Sequence, residues 1–467
     1  MVRKLTITDS GTRLRDWLLA AGVKLPWRCG GHGHCGSCRL QVLAGDWLAN
    51  GKPVPVPSEQ LACTLVLASD QGLVALPEEQ RMDILASWQT MPLPDNPRPV
   101  LAVDLGTTTV AVVRIEHGQV TATATAPNLQ GDYGDNVLSR VEFCRRPDGL
   151  AILQRAALDS IRHCLEQMPA MHDETVAVAG NTVMTCLLHG ISPLSIGEYP
   201  FTAPQRLFPP RQDLLAGVPV LLTVPCISGY LGGDTVAGLG EVNLQPGEML
   251  LDLGTNCELV LRTDNGYFGT SAPAGPAFEG GGISCGGFAG AGGVTHYGQN
   301  GELTVPDGKP PRYLCGSALV DFLAVARERG FLTSMGRFSD GIRSMSLAPG
   351  LEITEQEISL LLLAKAAVGA AINALERHCR CQAKRLYLAG AFASNLNLAS
   401  AFRIGLLPRG RECLVCGNTS LAGAARLAAA PSEYTAKMAE LSELPQELPL
   451  NNLPNFADDY SRNLALN

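Results

Sequence analysis

The spacing of apolar positions divides the chain into three zones. Residues 1–82 alternate short strand-like runs, "KLTIT" and "RLQVLAG", with "TRLRDWLLAAG", where Leu14, Trp17 and Leu18 recur at helical spacing and Gly22 offers a C-terminal stop. Residues 83–99 close on Pro92, Pro94, Pro97 and Pro99 and read as a stiff, proline-rich linker. From residue 100 to residue 467 strands and helices take turns. "VLAVDLGTTTVAVVRI" predicts strand, turn and strand, and "GLAILQRAALDSIRHCLEQM" a helix. "TVAVAG" and "EMLLDLG" predict strands, "TEQEISLLLLAKAAVGAAINALERH" a long helix and "KRLYLAGAF" a strand. Alternation of this kind predicts an α/β fold. A strand ending Asp-Leu-Gly-Thr occurs at 104–107 and again at 252–255, a duplication that bears on function.

Composition narrows the class. A chain of 467 residues, 46% hydrophobic and 17% charged, is expected to be soluble and to form two or three domains. Its most apolar stretch, Ser359 to Leu375, is interrupted by Lys365 and Asn373 and predicts a core helix, because a membrane span needs about 20 apolar residues. The N-terminus passes from "MVRK" into polar "TITDSGTR" without the apolar run of a signal peptide, so a cytoplasmic location without a membrane is expected. The net charge of −8, with no block of Lys and Arg, argues against nucleic acid as a partner. In such a chain, the 15 Cys are expected to be thiols and metal ligands rather than disulfides.

Four of them form a motif. Cys29, Cys35 and Cys38 follow a Cys-x5-Cys-x2-Cys spacing, and Cys63 completes the set. A [2Fe–2S] cluster needs four thiolates, three from one wrapping loop and the fourth from a distant strand. Gly30, Gly31, Gly33 and Gly36 suit that loop, since glycine tolerates positive φ and close backbone approach. A structural zinc site would favour two Cys-x2-Cys pairs, whereas here one such pair joins two lone Cys. With four Cys available, His32 and His34 read as loop residues that tune solvent access or potential rather than as Rieske-type ligands. Cys413 and Cys416, in a predicted strand, point to opposite faces and read with Cys379 and Cys381 as neutral thiols.

The duplicated strand carries the second chemistry. After Asp104, the turn Gly106, Thr107, Thr108, Thr109 offers backbone N–H groups and hydroxyls to phosphate oxygens, and Asp104 is placed to hold Mg²⁺ through water. Asp252, Gly254, Thr255 and Asn256 repeat the arrangement. A third element, Gly390, Ala391 and Phe392 after a strand, lets a base and ribose approach the backbone. No Gly-x4-Gly-Lys-[Ser/Thr] occurs, which excludes a P-loop. Asp234 in "YLGGDTVAG" is a candidate for positioning water, with helix capping as its plainer role. The glycine-dense stretch 278–293 lacks the strand and helix of a dinucleotide fingerprint and reads as a flexible or partner-facing loop.

The three nucleotide elements resemble the phosphate and adenosine motifs of the actin, Hsp70 and sugar kinase superfamily, which implies two ribonuclease-H-like lobes closing on Mg-ATP. Joined to the cysteine motif, they make the chain resemble the reductive activators of corrinoid proteins. The matching stretches are "CGGHGHCGSCRLQV", "AVDLGTTTVAV", "GDYGDNVLSRVEF", "AGNTVMTCLLHGISPLSIGEYPFTAP", "LDLGTNCELVL", "SAPAGPAFEGGGISCGG" and "GNTSLAGA". The resemblance implies a β-grasp ferredoxin-like domain over 1–82, a linker over 83–99 and a two-lobed ATPase over 100–467. It implies ATP-dependent reduction of a cobalt(II) corrinoid protein to cobalt(I) in a methyl-transfer system, with electrons passing through the [2Fe–2S] cluster. The implied partners are a corrinoid protein or corrinoid-dependent methyltransferase and an electron-donating reductase, and a homodimer is left open. Two features depart from that family. Only "KLTIT" precedes the first helix, so the ferredoxin domain is expected to lack its first strand. The linker also leads straight into the first phosphate strand, with no extra domain between. The alternatives are an activator of radical dehydratases, disfavoured by the four-Cys set, and a redox sensor that binds nucleotide without turnover.

Overall fold

The computed structural model describes residues 4–466 apart from 22, 24, 26–32, 34–37, 77–91, 170–172 and 288–289. Gly22, Cys29, Cys35, His32, His34 and the boundary at residue 82 therefore lie outside the described residues.

The first zone forms an antiparallel sheet in the order Lys4–Ile7, Gly72–Ala75, Arg39–Ala44, Ser58–Leu61. Leu14 and Leu18 of the helix Leu14–Ala20 enter its core with Val42 and Val74, which is what the i, i+4 spacing requires. Trp47 fills the other end of that core from a smaller sheet, Lys52–Pro53, Trp47–Ala49 and Leu65–Leu67. Among the described residues one strand precedes the helix, as expected, and it takes the sheet edge beside the last strand.

The rest is built on two sheets with one plan. In the first, the antiparallel strands Val100–Leu105, Thr109–Glu116 and Gln119–Pro127 are followed by Thr175–Ala179 and Leu221–Thr223, both parallel to Val100–Leu105. In the second, Glu248–Leu253, Cys257–Thr263 and Gly266–Ala272 repeat the antiparallel run, and Arg385–Ala389 and Glu412–Gly417 repeat the parallel pair. Both Asp-Leu-Gly-Thr copies thus sit at the end of the leading strand of a lobe. The long helix Glu355–Cys379 is apolar and long enough to cross a membrane by composition alone. However, 78% of its apolar window is buried against the second lobe's core.

Two short helices, Gly233–Val242 and Thr419–Ala429, lie between the sheets and share one apolar cluster with residues of both. Small residues allow the crossing: a Cβ on Gly423 would stand 2.5 Å from the Cβ of Ala237. At the same crossing, buried Arg426 pairs with buried Glu241, its Nη2 lying 3.2 Å from Glu241 Oε2. Arg426 Nη1 also donates to Pro92 O at 2.9 Å, so the end of the linker is tied to the helices on which the lobes meet. Breaking a buried pair leaves a charge without compensation. Arg426→Met is expected to lower stability by about 3–5 kcal/mol, read from the urea midpoint, and adding Glu241→Leu is expected to restore most of it. An unchanged midpoint in the single variant would show that the pair contributes nothing.

Candidate nucleotide cleft and cluster loop

The first phosphate turn is pinned from behind. Asn128 Nδ2 donates to Gly106 O at 2.8 Å, the Asn128 N–H donates to Thr108 O at 2.9 Å, and Asn181 Nδ2 donates to Thr107 Oγ1 at 3.0 Å. A Cβ on Gly106 would lie 2.6 Å from Thr109 O, so the turn is closed by glycine's lack of a side chain. Asp104 is held from the far end of the chain. Asn418 Nδ2 donates to its Oδ2 and Ser420 Oγ to its Oδ1, both at 2.9 Å. Asn418 also caps the helix Thr419–Ala429, accepting from the Leu421 N–H at 2.8 Å. One side chain therefore starts the interlobe helix and orients the aspartate.

The second hairpin meets the first. Thr108 Oγ1 and Thr255 Oγ1 are 3.5 Å apart across the lobes, and Thr255 Oγ1 donates to Glu279 at 2.8 Å. The Gly254 N–H closes on Asn256 O at 3.0 Å. Asp252 stands directly across the strand pair from Glu258. Asp234, at the start of the helix Gly233–Val242, accepts from the Thr235 N–H at 2.7 Å, while Gly232 is the residue at the capping position. The structure thus brings Asp104, Asp234, Asp252, Gly106, Thr107, Thr108, Thr109, Gly254, Thr255 and Asn256 to one cleft. The carboxyls are close enough to act on one another. Burial, reinforced by Asp234, Asp104 and Glu279, pushes Asp252 up to about 7. Burial pushes Asp234 up to about 6, with Asp104 adding to the rise, and burial also raises Asp104 and Glu258. Such a cluster favours a cation or protons between its members. Among the described residues no three such side chains converge to hold a metal ion directly.

Glu258, Glu279, Asn418 and Ser420 are cleft residues that sequence reasoning missed. Glu258 carried a readable signal, because a tight turn after Asp252 forces the two residues opposite each other.

The third element lines the same cleft. Gly390 lies so close that a Cβ would stand 2.8 Å from Asp252 Oδ1, and its φ of 94° is one that L side chains rarely adopt. After it, Ala391 opens a short helix and Phe392 stacks on Phe278, centroids 5.0 Å apart and planes at 9°. Phe278 and Glu279 belong to the glycine-dense stretch read as a flexible or partner-facing loop. Its described part is instead packed structure: Gly280 and Gly282 take positive φ, the Gly287 N–H donates to Leu314 O at 2.9 Å, and Phe278 is buried. The glycines serve close packing, which low complexity alone does not distinguish from mobility.

In the ferredoxin-like domain, Cys38 and Cys63 are buried with their sulfurs 3.3 Å apart. Two thiolates on one tetrahedral metal with bonds of about 2.3 Å stand roughly 3.7 Å apart, so this pair would open by a few tenths of an ångström to share one, and beside it the Ala62 N–H donates to Cys38 O at 3.0 Å. Cys413 and Cys416 face different clusters and are pushed up to about 11 by burial, consistent with neutral thiols.

Comparison with known proteins matches this arrangement. A model of the RACo middle region covers residues 100–246, and a model of the C-terminal domain of RACo, the ASKHA domain, covers 247–467. The two abut and account for everything after the linker. The chain belongs to the RACo family. A 2Fe-2S iron-sulfur cluster binding domain is matched over residues 3–68. This RACo-family chain is 25% identical over 440 residues to the corrinoid activation enzyme RamQ of Eubacterium limosum, covering 82% of the chain and 74% of the relative. It is 26% identical over 343 residues to the [Co(II) methylated amine-specific corrinoid protein] reductase of Methanosarcina barkeri, 63% of each. A solved reductive activator for corrinoid, iron-sulfur protein superposes with a TM-score of 0.72 at 24% identity, over 98% of this chain and 96% of that one. That likeness establishes the fold: a ferredoxin-like domain followed by a two-lobed ASKHA body.

Proposed function

We propose that this RACo-family protein uses ATP to drive one-electron reduction of a cobalt(II) corrinoid protein to cobalt(I) in a methyl-transfer system. The carrying observation is that one chain joins a buried thiol pair, Cys38 and Cys63, to two phosphate hairpins touching at Thr108 and Thr255. The activation and reductase names of its relatives support a corrinoid protein as the partner.

Cys29, Cys35, Cys38 and Cys63 would hold a [2Fe–2S] cluster, which supplies a one-electron carrier. Plant-type centres sit near about −400 mV, so an acceptor harder to reduce needs a second energy source. The cleft is suited to supply it. Residues 106–109 and 254–256 would grip the phosphates from opposite lobes, and Gly390, Ala391 and Phe392 would receive the adenosine. Asp104 and Asp252 would hold Mg²⁺ through water, and Asp234 would orient the attacking water. Because the hairpins come from different lobes, nucleotide binding and hydrolysis change how the lobes close. The Arg426–Pro92 bond couples that motion to the linker leading to the ferredoxin domain. A separate reductase would deliver electrons, in the cytoplasm.

The test is anaerobic. Reduced protein is mixed with a cobalt(II) corrinoid protein, with and without Mg-ATP, and cobalt(I) absorption is followed. ATP-stimulated cobalt(I) formation is expected. Cluster oxidation without cobalt(I) would redirect the reading to another low-potential metalloenzyme. ATP binding without turnover would redirect it to a sensor.

A further inference from the structure

We propose that Arg140 is a positioning residue for the first phosphate turn, holding its amides toward the ligand and backing them with positive charge; this rests on the nucleotide reading above. Arg140 lies on the helix Val137–Phe143 and is 1% exposed. Its Nη2 donates to Thr107 O at 2.6 Å, and its Nε donates to Gly134 O at 2.9 Å. A trans peptide points its N–H away from its C=O. With Gly106 O held by Asn128 and Thr107 O by Arg140, the N–H groups of Thr107 and Thr108 face the opposite way. The hydroxyl of Thr108 in the same turn meets that of Thr255 at 3.5 Å. Among the described residues neither amide donates to another backbone group, so both are placed to receive a ligand.

The charge is the second part of the argument. The remaining acceptors of Arg140 are Gln130 Oε1 at 3.1 Å and Met184 Sδ at 3.0 Å, so all four are neutral, and among the described residues it forms no ion pair. Arg426, also buried, has Glu241. Burying a cation is costly: burial lowers Arg140 to about 9, and the Asp135 carboxylate offsets only part of that fall. A phosphate seated on the amides of Thr107 and Thr108 would sit one peptide away from the guanidinium and add negative charge to that of Asp135.

The experiment is a calorimetric affinity series, ATP, ADP, AMP and adenosine with Mg²⁺, on the full chain and on Arg140→Met and Arg140→Lys, with the melting curve of each apo protein as a fold control. The wild type is expected to bind more tightly with each phosphate. Arg140→Met is expected to lose roughly tenfold or more for ATP with adenosine unchanged. Arg140→Lys keeps the charge but lacks the fork that reaches Thr107 and Gly134 together, so its loss for ATP is expected to be smaller. If Arg140→Met does not fold, Arg140→Lys carries the test alone. A folded variant with the wild-type ratio of ATP to adenosine affinity, or with equal losses for both, would overturn the assignment. A wild type that binds no nucleotide would instead overturn the nucleotide reading itself.

Discussion

Asp252→Asn is expected to cut ATP hydrolysis by roughly two to three orders of magnitude while making the protein without nucleotide more stable. The two effects share one cause. Asp252 faces Glu258 across the strand pair, and burial first, then Asp234, Asp104 and Glu279, push its proton affinity up. Without a cation a buried carboxylate is poorly solvated and repelled by its neighbours, so removing its charge at constant shape relieves both costs in the apo protein. The isosteric amide keeps the shape of the side chain beside Gly390, where an added Cβ would stand 2.8 Å from Oδ1. A gain of about 2–4 °C in apo melting temperature is expected. The pH dependence follows in sign. A carboxyl whose folded value is raised to about 7 binds its proton more readily folded than unfolded. Its stabilising contribution is therefore present below the unfolded value of about 4 and lost as pH rises through about 7. Apo stability should accordingly fall between about pH 5 and 7, and less steeply in the variant. The visible spectrum of the cluster should not change. Wild-type hydrolysis in the variant would remove Asp252 from the cleft, and an altered spectrum would contradict the separation of the two chemistries.

What the sequence made legible here was what is local in it. Asp104 and Asp252 each precede their own glycine and hydroxyl residues by a few positions, so a strand and a turn suffice to predict the phosphate hairpins. Their equivalence was legible because the same four residues recur. The partners that orient Asp104 were not. Asn418 and Ser420 lie more than 300 residues away, and only the crossing of Thr419–Ala429 between the sheets brings them to it. Arg140 stood in view within "GDYGDNVLSRVEF", yet a helical arginine followed by Glu142 gives no sign of being buried among neutral acceptors. The glycine-dense stretch shows the opposite failure. Its composition suggested freedom, whereas Phe278 is buried against Phe392 and Glu279 holds Thr255. Glycine content records where backbones must come close, and it does not say whether the closeness is to solvent, a ligand or another strand. In the ferredoxin-like domain the strand Lys4–Ile7 was readable because "KLTIT" alternates apolar and polar residues before Leu14.

Cys63→Ser is expected to abolish the visible absorption of the cluster and cobalt(I) formation while leaving nucleotide binding within a factor of about two of the wild type. Cys63 stands in the turn Ala62–Thr64, 5% exposed, 25 residues beyond Cys38 in sequence. The turn is held in place by the Ala62 N–H on Cys38 O and by Thr64 Oγ1 donating to Leu61 O at 2.9 Å, neither of which needs the sulfur. Serine is close in size to cysteine, so the domain core of Leu14, Leu18, Val42, Trp47 and Val74 should persist, and the circular dichroism of the variant checks that it does. What serine cannot supply is a soft thiolate, and the iron with which Cys38 would share its sulfur pair loses one of its two protein ligands. Metal analysis then separates the two chemistries the motif allows. Iron and sulfide in the wild type, lost in the variant together with the colour, are the expected result. Zinc in a colourless wild type would mean that this domain is structural and that electrons reach the corrinoid by another route. Wild-type colour and activity in Cys63→Ser would mean that Cys63 is not a ligand and that the 3.3 Å approach to Cys38 is packing alone.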